Sequence, residues 1–233
     1  MPPNEDLTTL VLYKDPMALV INKPAGLSVH AGPSGGQNLE AGLDALRFGA
    51  KDMPLLAHRL DRDTAGCLAL GRGPKGIKRL GRLFREGVVG KVYWAIVQGG
   101  PEADSGSIDA SLLKVTDTSG WRVMVSDDGK QARTWWRVLG RSSDAAWMEF
   151  RPSTGRTHQI RVHAAHLGCP ILGDPPYGGP EGALQLLARG LTLPMYQGRP
   201  PVKVEAELPA HMQDMFRHHG FVAPMPLASP TVP

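Results

Sequence analysis

The chain has 233 residues, 26 lysines and arginines against 22 aspartates and glutamates, and a formal net charge of +4. That length supports a sizeable core, in one large domain or two small ones. Its two cysteines, Cys67 and Cys169, exclude a disulfide framework and a four-cysteine zinc site. No apolar run reaches the ~18 residues of a membrane-spanning helix. The opening Met1-Pro-Pro-Asn-Glu-Asp lacks the basic and apolar regions of a secretory signal, so a cytoplasmic protein with reduced thiols is expected.

Leu7–Tyr13 and Ala18–Ile21 read as short strands, followed by a turn-rich stretch from Lys23 to Gly36. Residues 38–48 carry Leu39, Leu43 and Leu46 on one helical stripe. Leu55–Ala57 runs into the polar loop His58–Gly66, and Cys67–Leu70 reads as a buried strand. Gly76–Glu86 is an amphipathic helix with Ile77, Leu80, Leu83 and Phe84 on its apolar side. Further strands are expected at residues 92–97, 107–113, 122–125, 132–139 and 146–150. Thr157 is the expected N-cap of a helix to Leu167 that Gly168 ends. Strands outnumber helices without alternating regularly with them, which predicts an α+β fold with a mostly antiparallel or mixed sheet. A single domain is expected, with a core over residues 7–210, two lobes around a cleft, and a Pro-rich tail at 223–233.

Between Arg59 and Lys91 nine basic residues face only Asp61, Asp63 and Glu86, a local charge of +6. Clustered positive charge suits a polyphosphate partner, though a solvated helix face would look the same. Within His58-Arg-Leu-Asp61-Arg62-Asp-Thr-Ala-Gly66 a carboxylate sits between two arginines, which favour its ionised form. It reads either as a nucleophile or electrostatic stabiliser, or as an ion-paired turn. Arg151-Pro-Ser-Thr-Gly-Arg156-Thr-His158-Gln-Ile160-Arg161-Val-His163 packs donors at a turn-to-helix junction, a place for a carboxylate or a phosphate. A metal site at His158, His163 and His166 is not expected, because the spacing matches no zinc motif and no carboxylate lies among them. A literal G-x-G-x-x-G at Gly71–Gly76 lacks the ribose-binding acid some 20 residues on, so neither a dinucleotide nor another cofactor is expected. Tyr93, in Lys91-Val-Tyr-Trp94, alternates with Trp94 along a strand. It suits base stacking or simple half-burial equally.

Taken together, these segments resemble the RluA-type pseudouridine synthases. His58–Gly66 is similar to the family signature His-Arg-Leu-Asp-x-x-Thr-Ser-Gly, with Ala65 where serine is usual. Ile21-Asn-Lys-Pro-Ala-Gly-Leu-Ser-Val-His30, Lys91-Val-Tyr93 and Thr154–His163, continuing through Gly173-Asp174 and Tyr177-Gly178, follow in the family's order. The resemblance implies one mixed α+β catalytic domain around a bent, mostly antiparallel sheet flanked by helices, with a central cleft. It implies Asp61 as catalytic aspartate, Arg161 as its basic partner, and Tyr93 stacking on the target base. Ile160 is then the apolar neighbour of that arginine, and Arg59 holds the target nucleotide out of its helix. Arg62, Arg156, His158, Lys78 and Arg82 are further candidates for RNA contact. Isomerisation of uridine needs neither redox chemistry nor energy input, hence no cofactor. The expected partner is tRNA or rRNA, with no membrane, and the protein is expected to be a monomer. An N-terminal S4 domain, which many members carry, is not expected, because about ten residues precede the opening motif. The competing readings are a non-catalytic RNA-binding relative and a nucleotide-dependent oxidoreductase built on Gly71–Gly76.

Overall fold

A computed structural model describes residues 7–31, 36–118 and 120–224. In chain order its strands are β1 (Val11–Lys14), β2 (Ala18–Lys23), β3 (Leu55–Leu56), β4 (Ala65–Gly71), β5 (Gly90–Gln98), β6 (Ser105–Asp109), β7 (Leu112–Asp117), β8 (Gly120–Val125), β9 (Arg133–Arg141), β10 (Ala145–Pro152), β11 (Leu186–Leu193) and β12 (Val202–Glu205). The α-helices are α1 (Gly73–Arg85), α2 (Gln159–His166) and α3 (Ala210–His219). The fold is α+β, and its strand pairs are largely antiparallel. The described residues divide into two compact units, one within residues 7–90 and 188–207, the other within residues 91–187 and 208–224.

In the first unit β2 lies between β1 and β4, and β12 pairs with β11. All seven residues of β4 are buried. A strand covered on both faces cannot alternate apolar and polar residues, which is why it reads as a continuous apolar run. Helix α1 begins with Pro74 in its first turn, where no backbone N–H is missed, and Gly87 follows its end at a φ of +70°. The G-x-G-x-x-G glycines serve packing here. A Cβ on Gly71 would lie 2.4 Å from Ile77 Cα, and one on Gly76 would lie 2.1 Å from Met17 O. The helix therefore approaches the sheet more closely than any side chain permits.

In the second unit β10 pairs with β5 on one side and β9 on the other, and β6 pairs with β9. One face of this sheet carries Tyr93, Phe150 and Trp136, which are successive partners in register. Phe150 and Trp136 join Ile160 and Ala164 of α2 in one buried cluster, with Tyr93 packed against it. The β7–β8 hairpin packs Leu112 and Val123 against Val162 of α2.

Several expectations need correction. The stripe at 38–48 forms a 3-10 helix, Glu40–Leu46, with Leu39, Leu43 and Leu46 buried as anticipated. The first strand is shorter than expected, because Leu7–Leu10 is a 3-10 turn. The strand expected at 107–113 is two strands. Ala110 N bonds Ala132 O, then Leu112 exchanges bonds with Lys130, and the chain leaves β9 for the hairpin. Helix α2 has His158 as N-cap, at a left-handed φ of 53°, in place of Thr157. Strands β11 and β12 and helix α3 carried no expectation. The tail beyond Pro224 lies outside the described residues.

Candidate active site

In the first unit Asp61 sits in the loop between β3 and β4. Thr64 N donates to Asp61 O at 3.2 Å, closing a tight turn with Arg62 and Asp63 at its tip. Leu60 and Thr64 on either side are buried, and Asp61 is half-buried. Arg59 and Arg62 are exposed. Arg62 Nε reaches Gly26 O at 3.2 Å, so this side chain also clips the loop to the turn after β2.

A residue given no separate role in the sequence holds this loop from below. Lys23 has 0% of its surface exposed. Its ammonium donates to Pro24 O at 2.8 Å, Leu27 O at 2.9 Å and Arg62 O at 2.8 Å. All three protons are used, so the buried charge is fully hydrogen-bonded. Burial lowers its pKa to about 8, against the opposing pull of the Asp63 and Asp61 carboxylates. The signal was a lysine directly after an apolar strand, in Ile21-Asn-Lys-Pro.

His58, at the start of the same loop, accepts from Ala69 N through Nε2 at 2.9 Å. Its ring stacks on Phe84 of α1, with centroids 4.3 Å apart. This contact indexes α1 to the Asp61 loop. Lys75, Lys78, Arg82 and Arg85 are all exposed on that helix. At about 100° per residue they fall within an arc of roughly 80°, a single basic stripe. Arg79 does not belong to it, because its guanidinium is bound to Pro194 O and Met195 O.

In the second unit Arg161 and Asp174 form a bidentate pair, Nε to Oδ2 at 2.9 Å and Nη2 to Oδ1 at 2.6 Å. Asp174 is fully buried and Arg161 nearly so. The guanidinium lies over the Tyr177 ring, 4.9 Å from its centroid. The Tyr177 hydroxyl accepts from Val123 N at 3.2 Å and lies 2.6 Å from His158 Nδ1, a geometry that suits donation to a neutral imidazole. The structure thus gathers Arg161 and His158 around Tyr177 and Asp174. Those two partners were visible in sequence only as parts of the motif's tail.

The turn ahead of α2 is organised by Gln159. Its Oε1 accepts from Thr154 Oγ1 at 2.8 Å and Arg156 N at 3.0 Å, and its Nε2 donates to Arg133 O and Thr134 Oγ1, each at 3.0 Å. Lys91 Nζ donates to Thr154 O at 2.7 Å, and burial lowers its pKa to about 8. Arg156 is exposed and reaches Gln131 O at 3.1 Å. Ile160 is buried, and Tyr93 is half-buried against the same core cluster. His163 is buried between Thr134 Oγ1 and Ala110 O, and burial lowers its pKa. It belongs to the core.

A family model described as RNA pseudouridylate synthase matches residues 17–166, and the chain belongs to that family. It is 45% identical over 215 residues to an RNA pseudouridine synthase of Zymomonas mobilis, a match covering 90% of this chain and 98% of the relative. It is 40% identical over 188 residues to the ribosomal large subunit pseudouridine synthase C of Escherichia coli, covering 80% of this chain and 59% of that one. The solved structure of human RNA pseudouridylate synthase domain containing 4 superposes with a TM-score of 0.79 at 28% identity, covering 94% of this chain and 96% of that one. The chain is an RNA pseudouridine synthase, an isomerase, and the RluA-type resemblance of its motifs is borne out.

Proposed function

We propose that Asp61 is the catalytic carboxylate of uridine isomerisation, with Tyr93 and Arg161 as its partners on the reaction path. The reaction breaks the N1–C1′ bond, turns the uracil, and joins C5 to C1′. C5 gives up a proton and N1 gains one, so nothing is oxidised or reduced. The observation that carries this reading is the Asp61 turn. A carboxylate needed only for binding would not require a loop tied at Arg62 O to a fully buried ammonium. The bound loop fixes Asp61 before substrate arrives, and preorganised charge of this kind contributes to the rate because little reorganisation remains.

In this reading the target base leaves its stack at a cost of a few kcal/mol, and stacking on Tyr93 offsets roughly 1–3 kcal/mol of it. Arg161, oriented by the buried Asp174, is the cationic partner on the reaction path. Arg59 holds the flipped nucleotide and Ile160 supports the base. Lys78 and Arg82 on the α1 stripe hold phosphates, and Arg62, Arg156 and His158 contact the strand nearer the target. The name of the E. coli relative supports a uridine of large-subunit ribosomal RNA as substrate, with tRNA as the second possibility. We place the protein in the cytoplasm as a monomer.

Asp61→Asn tests the assignment. Pseudouridine formation is expected to be abolished, with RNA affinity within a few-fold of wild type. Turnover above a few per cent of wild type refutes Asp61 as the essential group. Pseudouridine mapping of cellular RNA with and without this gene identifies the modified site. No differing uridine would favour a non-catalytic RNA-binding role.

A further inference from the structure

The sheet of the second unit has a second face, opposite Tyr93. Alternation along β9 places Arg133, Trp135 and Arg137 there, exposed, while Thr134 and Trp136 are buried. Across the ladder Arg151 is the register partner of Trp135, and Glu149 is the partner of Arg137. On the other side Ser107 lies opposite Trp135 and Asp109 opposite Arg133. Helix α3 covers part of the same face, where Phe216 packs on Trp147 with centroids 4.9 Å apart. The stretch around Trp135 stays open, and Trp135 is 37% exposed.

The charges on this face are arranged in depth. The Glu149 side chain is 5% exposed and lies beneath two guanidiniums, with Arg137 Nε at 3.1 Å and Arg151 Nε at 2.8 Å. Those arginine side chains are 45% and 52% exposed. The carboxylate is spent in orienting them, and each guanidinium, with five N–H donors, keeps donors for solvent. Arg151 lies over the Trp135 ring, 5.5 Å from its centroid. Arg133 binds Asp109 through Nε and Nη2 and is itself well exposed. Side chains two apart on a strand stand about 7 Å from each other. An exposed indole is therefore bracketed by cations along its strand and across it.

We propose that this face is a second RNA-contact surface that takes single-stranded RNA, with one base stacked on Trp135 and the flanking phosphates on Arg133, Arg137 and Arg151. The inference rests on RNA being the substrate and extends it to unpaired RNA flanking the target. A flat ring among guanidiniums recognises any base by its π-face and any strand by its phosphates, the combination used by sequence-tolerant single-strand binders. A folded duplex hides its base faces and fits poorly.

The test uses the full chain and two labelled RNAs, a 12-nucleotide oligoadenylate and a blunt-ended, fully paired duplex of similar length. Trp135→Ala is expected to weaken oligoadenylate binding by about 5- to 150-fold and to leave duplex binding unchanged. Trp135→Phe is expected to stay within about 3-fold of wild type. Arg133→Gln is expected to flatten the log–log salt dependence for oligoadenylate by about 0.7. With a substrate carrying an unpaired flank, Trp135→Ala is expected to raise KM at unchanged kcat. Equal oligoadenylate affinity in wild type and Trp135→Ala overturns the proposal, as it would if this face bound a protein. Equal losses for Phe and Ala, or a parallel loss on the duplex, also overturn it. The binding arms need no turnover. Absence of pseudouridine formation would strike the catalytic assignment while leaving this surface to stand or fall by itself.

Discussion

Lys23→Met removes the ammonium that ties the Asp61 loop while keeping an unbranched side chain of similar length. Three hydrogen bonds from a charged donor disappear, each worth about 1.5–3 kcal/mol. Against this stands the burial of the ammonium. Its pKa falls from 10.5 to about 8, and at ~1.4 kcal/mol per unit the variant regains about 3 kcal/mol. The net loss is about 1.5–6 kcal/mol, a fall in Tm of roughly 3–24 °C for a chain of this size. The pH dependence supplies an independent check. A lysine whose folded pKa lies below its unfolded value is charged in both states at pH 7, where its burial weakens the fold. As pH rises from about 8 to 10.5 the unfolded chain holds more protons, so the Lys23 contribution to stability increases. In the same window the neutral amine keeps only two protons for three carbonyls, so the loop loosens and turnover falls. Urea denaturation across pH 7–10.5, with turnover measured alongside, checks both trends. The variant should lose the Lys23 part of the stability slope. What remains is Lys91, acting in the same sense, set against Cys67, Tyr13 and Tyr196, whose raised pKa values act in the opposite sense. The Lys23 part is therefore read as the difference between the two proteins. Stability within 0.5 kcal/mol of wild type and unchanged kcat in Lys23→Met would refute the tether.

Asp174→Asn breaks a buried bidentate pair while preserving its shape. A loss of about 2–4 kcal/mol in urea unfolding is expected, with kcat down at least tenfold because Arg161 is no longer held; unimpaired turnover would show that Arg161 needs no such orientation. Replacing Lys78 and Arg82 together by alanine should reduce the slope of log affinity against log salt by about 2 for a duplex RNA, measured by filter binding. An unchanged slope places the RNA elsewhere. Gly76→Ala would raise stability by up to ~1 kcal/mol on helix propensity alone. The 2.1 Å approach to Met17 O predicts the opposite, a loss of more than about 1 kcal/mol by thermal denaturation.

Much of the site was legible because motifs are local. The Asp61 turn, the Tyr93 strand and the Arg161 helix each lie within a dozen residues of chain, and local spacing sets them. The amphipathic pattern of α1 exposed its basic residues in the same way. Other features depended on partners distant in sequence. Arg79 is one of the basic residues of the 59–91 window, but its guanidinium binds carbonyls 115 and 116 residues away. The run Gly71–Gly76 lacks the acid of a dinucleotide site in sequence, but what its glycines do instead is visible only in the fold, which brings Met17 O over Gly76. Strand β11 was passed over because its Leu-rich run is almost wholly buried and shows no period of two.

The sequence by itself determined the family and the reaction, because ordered blocks of contiguous residues carry that chemistry, and it singled out Asp61 as the candidate carboxylate. The tertiary structure alone decided how the aspartate's loop is held. A lysine's role depends on whether water or protein solvates its ammonium. Only the fold could show that Lys23 is wholly buried and that Arg62, 39 residues on, supplies the third carbonyl.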